Sequence, residues 1–78
     1  MKYYYRGPGF CIATYSDKTG WQYINEIGRF GKLTQGGLDA IEKEVTIEEI
    51  FENPEWFPED EGKGYFPGYY HTLLKVLS

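Results

Sequence analysis

A chain of 78 residues with one cysteine, Cys11, cannot be stapled internally, because an intramolecular disulfide needs two thiols. Domains near this length bury only about 60% of the surface their unfolded chains expose, and many of them compensate with disulfides or metals. Here the compensation has to come from side chains. Eight tyrosines, five phenylalanines and two tryptophans are available, and aromatic rings bury large areas while immobilising few rotors. With 41% hydrophobic and 26% charged residues the chain reads as a folded domain and not as a disordered tail. A single domain over residues 1–78 is expected, since the length leaves no room for a second core.

Charge divides the chain unevenly. Residues 1–38 carry Lys2, Arg6, Lys18, Arg29 and Lys32 against Asp17 and Glu26, a balance of +5 − 2 = +3. Residues 39–78 carry ten acids against Lys43, Lys63 and Lys75, a balance of 3 − 10 = −7. Such asymmetry can steer a charged partner through its field, and salt weakens the steering. The plainer reading is that exposed acids keep a small aromatic protein soluble. Tyr3-Tyr4-Tyr5-Arg6 is not the apolar core of a signal peptide, and no apolar run approaches the ~18 residues of a membrane span. An intracellular, cytoplasmic location is therefore expected.

Secondary structure begins with aromatic, β-prone stretches. Tyr3-Tyr4-Tyr5 precedes the turn signal Gly7-Pro8-Gly9, Phe10 to Tyr15 forms the next strand candidate, and Asp17-Lys18-Thr19-Gly20 reads as a hairpin loop. Trp21 to Ile27 resumes the pattern, with Trp21 and Tyr23 on one face and Gln22 and Ile24 on the other. Gly28 and Gly31 bracket Arg29-Phe30 and mark a bulge or turn, and a short strand can follow at Lys32-Leu33-Thr34. Thr34-Gln35-Gly36-Gly37 reads as a breaker before a short helix from Leu38 to about Glu44.

The clearest local signal lies in Val45 to Glu61. Thr46 and Glu49 stand in capping-box register, and Ile47, Ile50 and Phe51 at i, i+3, i+4 give the helix one apolar stripe. Pro54 ends it. Between Asn53 and Tyr70 the segments Trp56-Phe57-Pro58 and Tyr65-Phe66-Pro67 echo one another within what reads as a long ordered loop. Tyr69 to Leu77 satisfies both a helical stripe and a strand face; a closing strand is the reading expected. The fold expected is α+β: a small single domain with an antiparallel sheet of three to four strands and one or two short acidic helices packed on one face.

Motifs that would imply catalysis do not emerge. Gly28-Arg29-Phe30-Gly31-Lys32 has the glycines and cations of a phosphate loop, but its spacing fails the P-loop pattern and a structural turn explains it. Cys11 and His71, the sole thiol and sole imidazole, read as a small core residue and a strand-margin residue before they read as nucleophile and base. Glu59-Asp60-Glu61 lacks the alternation and glycine of a calcium loop. No cofactor or metal is expected, and the protein is expected not to be an enzyme.

What folding alone does not explain is the acidic row with aromatic anchors: Glu48, Glu49, Glu52, Glu55, Trp56, Phe57, Glu59, Asp60 and Glu61. Aromatic anchors beside a polar rim describe a protein-interaction surface. The function expected is that of a small acidic protein that binds a larger partner with a basic surface and regulates or inhibits it. A sharper version is nucleic-acid mimicry, as in phage-type inhibitors of a host nuclease or defence complex, a comparison resting on size and charge. The alternative is a nucleic-acid or anionic-ligand module using Tyr3–Arg6 and the Gly28–Lys32 turn, against which the net charge of −4 weighs.

Overall fold

The structure is a computed structural model and describes residues 1–7, 10–57 and 68–78. Its framework is an antiparallel sheet in which β1 (Lys2–Tyr5), β2 (Ile12–Ser16), β3 (Gly20–Ile24) and β4 (Phe30–Lys32) run as a meander. A fifth strand, β5 (Lys43–Val45), pairs with the outer side of β1, so the order is β4-β3-β2-β1-β5. The helices are α1 (Gln35–Asp39), α2 (Ile47–Glu52) and α3 (Tyr69–Leu77), with a 3-10 turn at Pro54–Trp56.

Turn chemistry explains the meander. Between β2 and β3 the Ser16 hydroxyl accepts from the Thr19 amide at 3.2 Å and shares a 2.6 Å hydrogen bond with the Thr19 hydroxyl. Between β3 and β4 the Asn25 carboxamide oxygen accepts from the amides of Ile27 (3.0 Å) and Arg29 (2.9 Å), while Gly28 takes a φ of +83° that other residues rarely adopt. Gly31 is required for a different reason. A Cβ there would lie 2.5 Å from the Tyr23 ring, which covers the backbone of β4.

Ladder partners share a face of the sheet. Tyr3, Tyr5, Ile12, Thr14, Gln22, Ile24 and Val45 therefore point one way, and Lys2, Tyr4, Ala13, Tyr15, Trp21 and Tyr23 the other. The first face carries the core: Ile12 and Ile24 at 0% exposure and Val45 at 4% cluster with Ile50, Phe57, Tyr69 and Leu73. Tyr69 fastens α3 to this face by donating its hydroxyl to the Ile24 carbonyl at 2.6 Å, and Tyr70 donates to the Phe51 carbonyl at 2.6 Å. Rings pack between the helical elements, with Phe57 at 5.4 Å from Tyr70 and 5.9 Å from Tyr69.

The α+β class is as expected, but several details differ: β3 ends at Ile24 and not Ile27, because Asn25 closes a turn onto Ile27, Gly28 and Arg29, and the next strand is Phe30–Lys32 and not Lys32–Thr34. The sheet has five strands and not three to four, because Lys43-Glu44-Val45 pairs with Tyr5-Tyr4-Tyr3 where a helix reaching Glu44 was anticipated. The preceding helix comes earlier and contains the glycines read as a breaker: Thr34 caps α1 by accepting from the Gly37 amide at 3.3 Å. Tyr69–Leu77 is a helix and not a closing strand, since its stripe buries Tyr69 and Leu73 under the sheet. Among the described residues there are thus three α-helices, of which only α2 is strongly acidic; α1 has one acid, Asp39, and α3 none.

Candidate functional site

The acidic surface is built on α2 and the 3-10 turn that follows it. The capping box forms as its spacing predicts, with the Thr46 hydroxyl accepting from the Glu49 amide at 3.0 Å and the Glu49 carboxylate accepting from the Thr46 amide at 3.1 Å. Asn53 closes the other end by donating its carboxamide to the Glu49 carbonyl at 2.6 Å. Ile50 at 0% exposure fixes which side of α2 faces the sheet, so Glu48, Glu49 and Glu52 are exposed. Glu55 on the 3-10 turn is exposed as well. Glu49 is committed to the cap; Glu48 and Glu52, one turn apart, share a free face.

Two further carboxylates belong to this edge and were missed from sequence. Glu42 and Glu44 are exposed on either side of Lys43 at β5, the strand that runs through Thr46 into α2. Reading residues 38–44 as a helix hid them, and the β-branched Val45 was the signal that a strand could end there. Across residues 39–57 seven exposed acids face one lysine, a balance of 1 − 7 = −6. The charge asymmetry in the chain is therefore a charge asymmetry of the surface.

The aromatic anchors are less available than the acids. Phe57 is 6% exposed and sits in the core cluster, so it is withdrawn from the contact surface the sequence assigned to it. Trp56 is half-buried: its ring lies 4.7 Å from that of Tyr5, and the Lys43 ammonium stands 5.1 Å above it. Packed against the core cluster and covered in part by Lys43, Trp56 is a partly exposed residue at the margin of the acidic surface. Glu59, Asp60 and Glu61 lie outside the described residues.

The anionic-ligand alternative does not assemble as drawn. In the Gly28 turn the amides of Ile27, Gly28 and Arg29 all donate to Asn25, leaving none of them directed at a phosphate. Gly31 is covered by Tyr23. Tyr3 and Tyr5 pack on the core side while Tyr4 points to the other, so the three tyrosines make no continuous platform. Cys11 and His71 are likewise separated in character. The Cys11 thiol is buried, donates to the Trp56 carbonyl at 3.9 Å and is pushed up to about 12 by desolvation, whereas His71 is exposed on α3 against the edge of the Tyr70 ring. A protonated, enclosed thiol is a packing residue.

A second surface was not anticipated. On the sheet face away from the core, Trp21 lies 4.8 Å from Tyr4 and 5.0 Å from Tyr15, both tilted by about 50°. These half-buried rings, with Met1, Lys2, Ser16 and Asp17, line a concavity of about 490 Å³. Strand parity could have found it, since Tyr4, Tyr15 and Trp21 fall on one face once β1, β2 and β3 are in register.

Among the described residues no three His, Cys, Asp or Glu side chains converge as metal ligands, and no helix is long and apolar enough to cross a membrane. Comparison with protein-family models, with curated proteins and with solved structures gives no significant match.

Proposed function

We propose that this protein is a non-enzymatic binder that attaches through the β5–α2 edge to a basic surface of a larger protein and regulates or inhibits it. The carrying observation is the exposed acids Glu48, Glu52 and Glu55 of α2 and the 3-10 turn, with Glu42 and Glu44 exposed at the adjoining edge strand, Glu44 on the sheet face of Tyr4, and a single lysine among them. Beyond the favourable position of Glu48 in the first turn of α2, like charges gathered on one edge repel one another in the free protein, and they raise the rate and selectivity of docking on a positive partner. Trp56 at the rim supplies an aromatic contact beside them. The sharper form is nucleic-acid mimicry. Glu48 and Glu52 are separated by about 6 Å along the helix axis, comparable with the roughly 6.8 Å rise of two nucleotides on one DNA strand.

The test is capture of partners from the source cell on the tagged protein at low and high salt, beside a variant carrying Glu48→Gln, Glu52→Gln and Glu55→Gln. A basic protein retained at low salt, released at high salt and not retained by the variant is the expected result. Mimicry further requires that duplex nucleic acid displace this protein from that partner. A partner held equally by the variant at low salt would overturn the assignment of the edge.

A further inference from the structure

We propose that the concavity on the outer face of β1–β3 binds a planar heteroaromatic ring carrying one anionic group, of the kind found in a nucleoside monophosphate. Its volume of about 490 Å³ falls in the range of about 300–1,000 Å³ typical of small-molecule pockets. Tyr4, Tyr15 and Trp21 supply ring faces that the fold leaves half-buried. A sheet face needing only stability could be closed by packing a helix over it, whereas these rings border an open concavity and present surface on which a flat ligand can stack.

The polar lining narrows the chemistry. Lys2 is exposed and supplies one cation for one anionic group. Asp17 and Ser16 can accept from an exocyclic amine, which favours adenine, cytosine or guanine over uracil or thymine. Two other occupants fit less well. An aromatic cage holds an ammonium among rings that stand apart, but here the ring centroids are 4.8 and 5.0 Å from one another and leave no slot, and Lys2 repels a cation. A polynucleotide needs several cations along its track, and the lining offers one lysine opposed by Asp17 in a protein of net charge −4. The site shares no residue with the acidic edge, so either can fail alone.

The measurement is an NMR titration of the intact protein with adenosine monophosphate, read at the two tryptophan indole N–H signals, which Trp21→Phe assigns. The Trp21 signal is expected to shift saturably while that of Trp56 stays in place. Tyr15→Ala, with its fold checked by circular dichroism, should weaken binding roughly 5- to 100-fold through the lost stacking. Lys2→Gln should weaken it as well, and uridine monophosphate should bind less tightly than the adenosine nucleotide. Absence of a saturable Trp21 shift at millimolar nucleotide overturns the proposal. So does a shift produced by choline in preference to the nucleotide, or a short oligoadenylate binding more tightly per site than the monomer.

Discussion

On one face of the sheet Ile12 and Ile24 stand at 0% exposure beneath Ile50 and Leu73; on the other, Tyr4, Tyr15 and Trp21 stay half-buried against one another and border an open concavity. The same three strands supply both faces, with the same β-prone composition. The difference comes from what docks on them. The first face receives α2 and α3, whose apolar stripes exclude water from it; on the second Ala13 and Leu33 are buried, Leu33 against Gly37 of α1, while Tyr4, Tyr15 and Trp21 pack only on one another beside the concavity.

The largest effect that would break this contrast is a cavity beneath α3. Leu73→Ala removes a side chain at 0% exposure and should lower stability by about 2–5 kcal/mol, measured by urea unfolding. A loss below about 1 kcal/mol would mean that α3 does not seal this face.

Next comes alkaline pH, which acts on two groups of the enclosed side. Burial pushes the Cys11 thiol from 9.0 up to about 12 and moves the Tyr69 phenol upward as well. Between those limits the folded chain holds protons that the unfolded chain releases, so folding opposes ionisation. Stability should be level below about pH 9 and then fall, by at most about 1.4 kcal/mol per pH unit for the thiol alone. Unfolding curves collected across that range check it, and Cys11→Ala should flatten part of the slope.

Thr14 offers a gain in place of a loss. It is 0% exposed on the core face and its hydroxyl has no hydrogen-bond partner among the described residues. Thr14→Val removes that desolvated hydroxyl and keeps the shape, so a stabilisation of about 1 kcal/mol is expected in thermal or urea unfolding. Destabilisation would indicate that the hydroxyl is in fact satisfied. The smallest effect belongs to the open face: Tyr15→Ala should cost less than about 1 kcal/mol, the scale of a cross-strand pair. A core-sized loss there would erase the distinction between the faces.

The acidic edge was legible as chemistry before it was legible as a surface. Thr46, Glu49, Ile50 and Pro54 interact within a few residues of each other, so their pattern announces a capped helix with Glu48 and Glu52 outward. Glu42 and Glu44 were not legible, because their exposure depends on a strand that exists only by pairing with Tyr3–Tyr5, some forty positions away. Trp56 and Phe57 are adjacent and similar in hydrophobicity, yet one reaches the rim and the other the core. Tyr69 and Tyr70 on α3 make that decision by where their rings stand.

By itself the sequence determined the features whose hydrogen bonds close locally and whose residues announced them: the Ser16–Gly20 hairpin, the capping box, and a chain whose acids are concentrated after residue 38; the turn closed by Asn25 also closes locally, but the β-prone run to Ile27 concealed it. Tertiary structure decided the rest. Lys43–Val45 became a strand because β1 had an unpaired edge, and Tyr69–Leu77 became a helix because an exposed aliphatic face had to be covered and the Ile24 carbonyl accepted the Tyr69 hydroxyl. Short ambiguous segments carry no internal preference large enough to outweigh burial, and burial is a property of partners distant in the chain.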